Sequence, residues 1–171
     1  KNIREYDLFS LRKRISVVLQ DVFLFQGTIM ENITLRDESI SRESVIDAAK
    51  QIGAHAFIES LPNQYDFVVN ERGNNLSVGQ RQLISFVRAM VFNPDILILD
   101  EATSGLDPIM RDEMLDVFLE FVQEENHSIL LSSHITSDLE KVADYITFIH
   151  NGKLIMTVSK NDLVYNYAVM R

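Results

Sequence analysis

The chain has 171 residues, 46% hydrophobic and 24% charged, with a formal net charge of −9 and no cysteine. That length holds one domain with a sizeable core, and the missing cysteines exclude disulfides and thiolate metal sites. The acidic balance opposes nucleic-acid partners, whose phosphates need clustered Lys and Arg, and no apolar run reaches the ~18 residues required to cross a bilayer.

No basic, apolar, then small-residue start marks a signal peptide. The first residue is Lys1 rather than a methionine, so an excerpt of a longer protein is expected. Taken in order, the run Arg14–Leu19 (Ile15, Val17, Val18, Leu19) predicts a strand that ends at Gln20. Ser41 is placed to cap a helix running to about Ser60, with apolar positions at Val45, Ala48, Ala49, Ile52 and Phe57. An irregular polar stretch is expected from Pro62 to Asn75. A helix follows from about Val78 to Phe92, its apolar face at Leu83, Ile84, Val87 and Val91, and Asn93-Pro94 stops it.

Ile96–Leu99 is an unbroken apolar run, the pattern of a strand covered on both faces of a parallel sheet, and it ends in Asp100-Glu101. Asp107-Pro108 opens another helix, to about Gln123. Ser128–Leu131 reads as a second buried strand ending at Ser132-Ser133-His134, followed by a short helix near Thr136–Ala143. Tyr145–Ile149 and Lys153–Val158 flank Asn151-Gly152, a strong hairpin signal. The expected fold is an α/β core with a helical subdomain.

Four places carry possible chemistry. Ser77 and Gln80 have the spacing of a capping box, which alone explains both residues. Gly79 between them would also let a phosphate reach free N–H groups at the positive end of the helix. Asp100-Glu101 is either a polar strand edge or a functional pair. In open α/β sheets ligands bind beyond the carboxyl ends of strands. There Asp100 would hold Mg²⁺, and Glu101 would orient or deprotonate a water. His134 is either incidental to its loop or a hydrogen-bond donor to a phosphoryl oxygen. The amide of Gln20, at the end of the first strand, would ligate Mg²⁺ or the attacking water.

The order Gln20, Leu76–Gln80, Asp100-Glu101, Ser104–Asp107, His134 resembles the nucleotide-binding domains of ABC transporters over nearly the whole chain. By that resemblance Gln20 is the Q-loop glutamine and Leu76–Gln80 the signature motif, with Val78 where glycine is commoner. Asp100 and Glu101 stand for the Walker B aspartate and the catalytic glutamate, Ser104–Asp107 for the D-loop and His134 for the switch histidine. The resemblance implies a P-loop NTPase-like core with a largely parallel sheet, truncated at the N-terminus. Residues 1–20 would supply a core strand and the Q-loop, 21–92 the helical subdomain with the signature, and 93–171 the catalytic core.

It further implies two domains clamping two ATP molecules head to tail, so that Ser77, Val78, Gly79, Gln80 and Asp107 serve the nucleotide across the interface. Gln20 and Asp100 would serve Mg²⁺, Glu101 would be the general base, and His134 would contact the γ-phosphate. The partners implied are ATP, a second nucleotide-binding domain and a transmembrane domain or permease subunit, at the cytoplasmic face of a membrane. Gln20, Asp100, Glu101 and His134 are expected to converge on one rim of the sheet.

Two features depart from the family pattern. The 171 residues contain no Gly-x-x-x-x-Gly-Lys-[Ser/Thr], so the chain alone is expected to bind ATP weakly and not to hydrolyse it. Ile15–Ile33 and Glu71-Arg72-Gly73 also look exporter-like, whereas Ser104-Gly105-Leu106-Asp107-Pro108 and Ser128–Lys153 look like stand-alone ATP-binding subunits. A mosaic joined near Asp100–Ser104 is the corresponding expectation. Rival readings are an ABC-type ATPase acting on DNA or ribosomes, disfavoured by the short Gln20–Leu76 spacing and the acidity, and a folded but inactive fragment.

Overall fold

The computed structural model describes residues 2–166. From the N-terminus the elements are α1 (Leu8–Lys13), β1 (Ile15–Val18), β2 (Gly27–Thr28), α2 (Ile29–Thr34), α3 (Arg42–Gln51), α4 (His55–Glu59) and β3 (Val68–Val69). Then come α5 (Val78–Val91), β4 (Ile96–Asp100), α6 (Pro108–Phe121), β5 (Ser128–Ser132), α7 (Thr136–Val142), β6 (Tyr145–His150), β7 (Lys153–Ser159) and α8 (Lys160–Asn166). The described residues divide into two compact units, between Ser132 and Ser133.

The first unit is built on a parallel sheet of order β1-β4-β5. Val18 pairs with Leu99, and Leu99 with Leu131, so the carboxyl ends of all three strands share one edge. Side chains alternate across a strand. One face therefore buries Val18, Leu97 and Leu99 completely, while the other leaves Val17, Leu19, Ile96 and Leu130 exposed. The expectation of strands covered on both faces holds for one face only.

α5 forms where the 3.6-residue pattern predicts. Ser77 caps it, and Ile84, Phe86 and Val87 lose all contact with water. Each such side chain contributes roughly 1.5–3 kcal/mol of burial. Phe86 meets Phe118 of α6 with ring centroids 5.6 Å apart, joining the two helices.

The helix expected from Ser41 to Ser60 is two helices. Ser41 caps α3 as expected, its Oγ accepting the Ser44 N–H at 3.1 Å. Gly53 at φ +74° then turns the chain before α4 begins. The supposedly irregular stretch contains β3, antiparallel to β2, and α1, α2 and α8 add helices that the apolar pattern alone did not single out. α2 carries its own capping box, Thr28 with Glu31.

Within the second unit, β6 and β7 pair antiparallel around Asn151 (φ +48°) and Gly152 (φ +71°). Two left-handed residues are what a tight hairpin of this type requires. The start of α8 is tied down by Lys160, whose N–H donates to the Asp144 carbonyl at 2.8 Å and whose ammonium reaches the Glu140 carbonyl at 3.2 Å.

Candidate functional site

Three of the expected site residues leave the sheet at the same edge. Gln20 lies two residues past β1, Asp100 ends β4, and Glu101 follows it. Asp100 pairs in register with Ser132 at the end of β5, and the Ser132 hydroxyl donates to Asp100 Oδ1 at 2.6 Å. The Glu101 N–H is shared between the Ser132 carbonyl (3.1 Å) and Ser132 Oγ (3.2 Å). Glu101 itself sits at φ +47°, a conformation that costs a residue with a Cβ and is common at functional positions. The chain thus turns sharply at the rim and presents two adjacent carboxylates there. Asp100 is exposed and Glu101 partly so.

The start of α5 faces the segment beyond β1. A cleft of about 190 Å³ is lined by Gln20, Asp21, Val22, Val78, Arg81 and Gln82. The capping box read from the sequence is present, with the Gln80 N–H donating to Ser77 Oγ at 3.1 Å and the Ser77 N–H donating to Gln80 Oε1 at 2.9 Å. Arg81 steadies the preceding loop by donating to the Leu76 carbonyl at 2.8 Å. Ser77 and Val78 are exposed.

The Ser104–Asp107 loop packs on this same turn. A Cβ at Gly105 would fall 2.6 Å from Gln82 Oε1 and 2.8 Å from Val78 Cγ1, and one at Gly79 would lie 3.6 Å from the Gly105 carbonyl oxygen. Gly105 therefore leaves no room for a side chain, whereas a Cβ at Gly79 would make only ordinary contact. Gln82 is buried, and its Oε1 has no hydrogen-bond partner. Asp107 accepts the Ile109 and Met110 N–H groups at 3.1 and 3.2 Å as the cap of α6, so its side chain already has a structural task.

His134 belongs to the second unit, two residues beyond the end of β5, and is exposed. Ser133 Oγ accepts the Ile135 N–H at 3.0 Å and so bends the chain around it. The structure brings Gln20, Asp100 and Glu101 to one rim; His134 is described within its own unit.

Residues 1–104 match the family model described as ABC transporter. The chain belongs to the ABC transporter family. It is 39% identical over 163 residues to multidrug resistance protein homolog 65 of Drosophila melanogaster, covering 95% of this chain and 12% of that protein. It is 41% identical over 155 residues to the uncharacterized ABC transporter ATP-binding protein YfiC of Bacillus subtilis (91% and 25%). With YknU of the same organism, described in the same words, the identity is 43% over 154 residues (90% and 26%). A solved bacterial Atm1-family ABC exporter with ATP bound superposes with a TM-score of 0.86 at 34% identity, over 96% of this chain and 28% of that one. The chain therefore spans between 12% and 26% of the length of these curated relatives.

These relatives do not support the expected mosaic. Single ABC proteins align at 39–43% identity over 90–95% of the chain, on both sides of Asp100–Ser104.

The ABC family works on Mg-ATP, and the donors here fit a shared Mg²⁺ site. Among the described residues no group of three or more His, Cys, Asp or Glu could hold a metal by itself. Mg²⁺ accepts that situation, taking one or two carboxylates and completing its shell with phosphate oxygens and water. Asp100, whose carboxylate is oriented by Ser132 at the rim, would be the hard oxygen donor of such a site.

The sequence reading passed over two contributors, Ser132 and the Gly105–Gln82 contact. Ser132 was visible as the strand-ending partner of Asp100 only once the register was known. Gly105 gave no local signal, because its requirement is for space rather than for a special turn.

Proposed function

We propose that this chain is the larger part of an ATP-hydrolysing nucleotide-binding domain that powers a membrane transporter. The observation that carries the reading is the Asp100-Glu101 turn, fixed by Ser132 at the carboxyl edge of the sheet beside Gln20. In that reading Mg²⁺ bound there supplies charge neutralisation at the phosphates, with Asp100 and Gln20 holding it. Glu101 accepts the proton of the attacking water, and His134 donates a hydrogen bond to the γ-phosphate. Phosphoryl transfer asks mainly for positioning and charge stabilisation, and a turn with two carboxylates provides the former.

Ser77, Val78, Gly79 and Gln80, at the exposed start of α5, would meet the nucleotide held by a second copy of the domain. Asp107 would contribute at the same interface. The transmembrane domain would dock on the helical insert, from Asp21 to about Asn75, at the cytoplasmic face of the membrane. The multidrug resistance relative and the solved exporter favour outward transport.

Glu101→Gln in the longer, membrane-inserted protein should keep Mg-ATP binding and slow hydrolysis by about a hundredfold or more. Undiminished turnover would sink the assignment. A second reading holds for the 171 residues taken alone, because they contain no Gly-x-x-x-x-Gly-Lys-[Ser/Thr]. The isolated chain should neither hydrolyse ATP nor bind it at micromolar concentration in isothermal titration.

A further inference from the structure

Arg88 lies near the end of α5, and its guanidinium turns inward. Nε donates to the Asn32 carbonyl at 2.7 Å, Nη1 to the Phe23 carbonyl at 3.2 Å and Nη2 to Asn32 Oδ1 at 3.4 Å. Asn32 is fully buried and turns its own amide to the same segment. Its Oδ1 accepts the Phe25 N–H at 3.1 Å, and its Nδ2 donates to the carbonyls of Phe25 and Thr28, both at 3.0 Å. Residues 23–28, which begin just beyond Gln20, thus take their path from two side chains rather than from a long ladder. Burial lowers the Arg88 pKa from the ordinary guanidinium value, as expected for a cation drawn out of water. Its three acceptors are two carbonyls and an amide oxygen. A planar fork bound in this way fixes directions as well as distances, which a lysine does not.

We infer that Arg88 and Asn32 are positioning residues that fasten the segment Phe23–Phe25 to α5, so that a displacement of Ser77–Gln80 reaches Phe23. Phe23 is 64% exposed and is the part of this segment that a membrane-domain partner would meet. The inference rests on the ATP-driven reading above.

The test uses the full-length protein in lipid vesicles with Phe23→Cys, following maleimide modification at that position by mass spectrometry. With Arg88 in place, the modification rate should change by about fivefold or more on adding a non-hydrolysable Mg-ATP analogue, the lower end of ordinary coupling. Arg88→Lys and Arg88→Gln should each abolish that change while the analogue binds with unaltered affinity, a separation that a purely structural role would not give. A response kept in either folded variant overturns the clamp alone. A protein that shows no response even with Arg88 present overturns the ATP-driven reading, and the inference with it.

Discussion

Ser132 Oγ donates to Asp100 Oδ1 at 2.6 Å while accepting the Glu101 N–H at 3.2 Å, so one hydroxyl holds both carboxylate-bearing residues of the rim. Ser132→Ala removes both contacts without touching either carboxyl group. In the longer protein, turnover should fall roughly fivefold to tenfold, the effect of about 1 kcal/mol of lost orientation. The KM for ATP should move less than kcat. Steady-state kinetics at saturating Mg²⁺ check this.

Ser77 offers a way to separate capping from nucleotide contact. Ser77→Ala should destabilise the fold by about 1 kcal/mol through loss of the cap. Ser77→Asp keeps a good cap and suits the positive helix end, so its melting temperature should match that of the unaltered chain. In the longer protein the same carboxylate would repel a phosphate, and ATPase activity should collapse. A Ser77→Asp protein with full activity would reduce the residue to a cap.

Gly105→Ala forces a Cβ to within 2.6 Å of Gln82 Oε1 and 2.8 Å of Val78 Cγ1. Gln82 is buried, so its amide must shift within the packed turn or towards the cleft it lines. The expected loss is about 1–3 kcal/mol, read by urea unfolding. Adding Val78→Ala to Gly105→Ala removes one of the two clashes and should recover part of that loss.

Tyr65 gives the fold an alkaline weakness. Its hydroxyl is 2.9 Å from His55 Nδ1. Burial pushes its pKa up to about 12, Glu59 adding to the rise and Arg42 opposing it. Between the ordinary value near 10 and about 12, the unfolded chain has lost the phenolic proton while the folded chain keeps it. Fewer protons on the unfolded state mean stability falls as pH rises through that window. Below it, Tyr65 contributes no pH dependence. Tyr65→Phe should remove this component of the decline, as seen by comparing the two unfolding curves from pH 9 upward.

Much of the carboxyl edge of the sheet was legible because its signals are local. The Ile96–Leu99 run, the Asp107-Pro108 start, the Ser77/Gln80 spacing and Asn151-Gly152 each depend on a few adjacent residues, and each element formed within one or two positions of its expected place. What stayed hidden depends on contacts between distant segments. The β2–β3 ladder is two residues long on each side and has no period to detect. Arg88 is a cation three to four residues from Ile84 and Val91 on the helix and could have been flagged for that, but only the fold reveals that carbonyls 56 and 65 positions away receive it. The split between α3 and α4 shows the opposite error: a continuous apolar pattern ran through Gly53, whose left-handed backbone ends the helix.

The uncovered sheet face has a consequence at the bench. Val17, Leu19, Ile96 and Leu130 form an oily floor open to solvent, and water contact there is unfavourable in proportion to area. Handled by itself, this polypeptide should become turbid with rising concentration, and sulfate salts, which strengthen apolar association, should bring on the cloudiness sooner. A charged residue at Leu130, the most open of the four, should keep solutions clear.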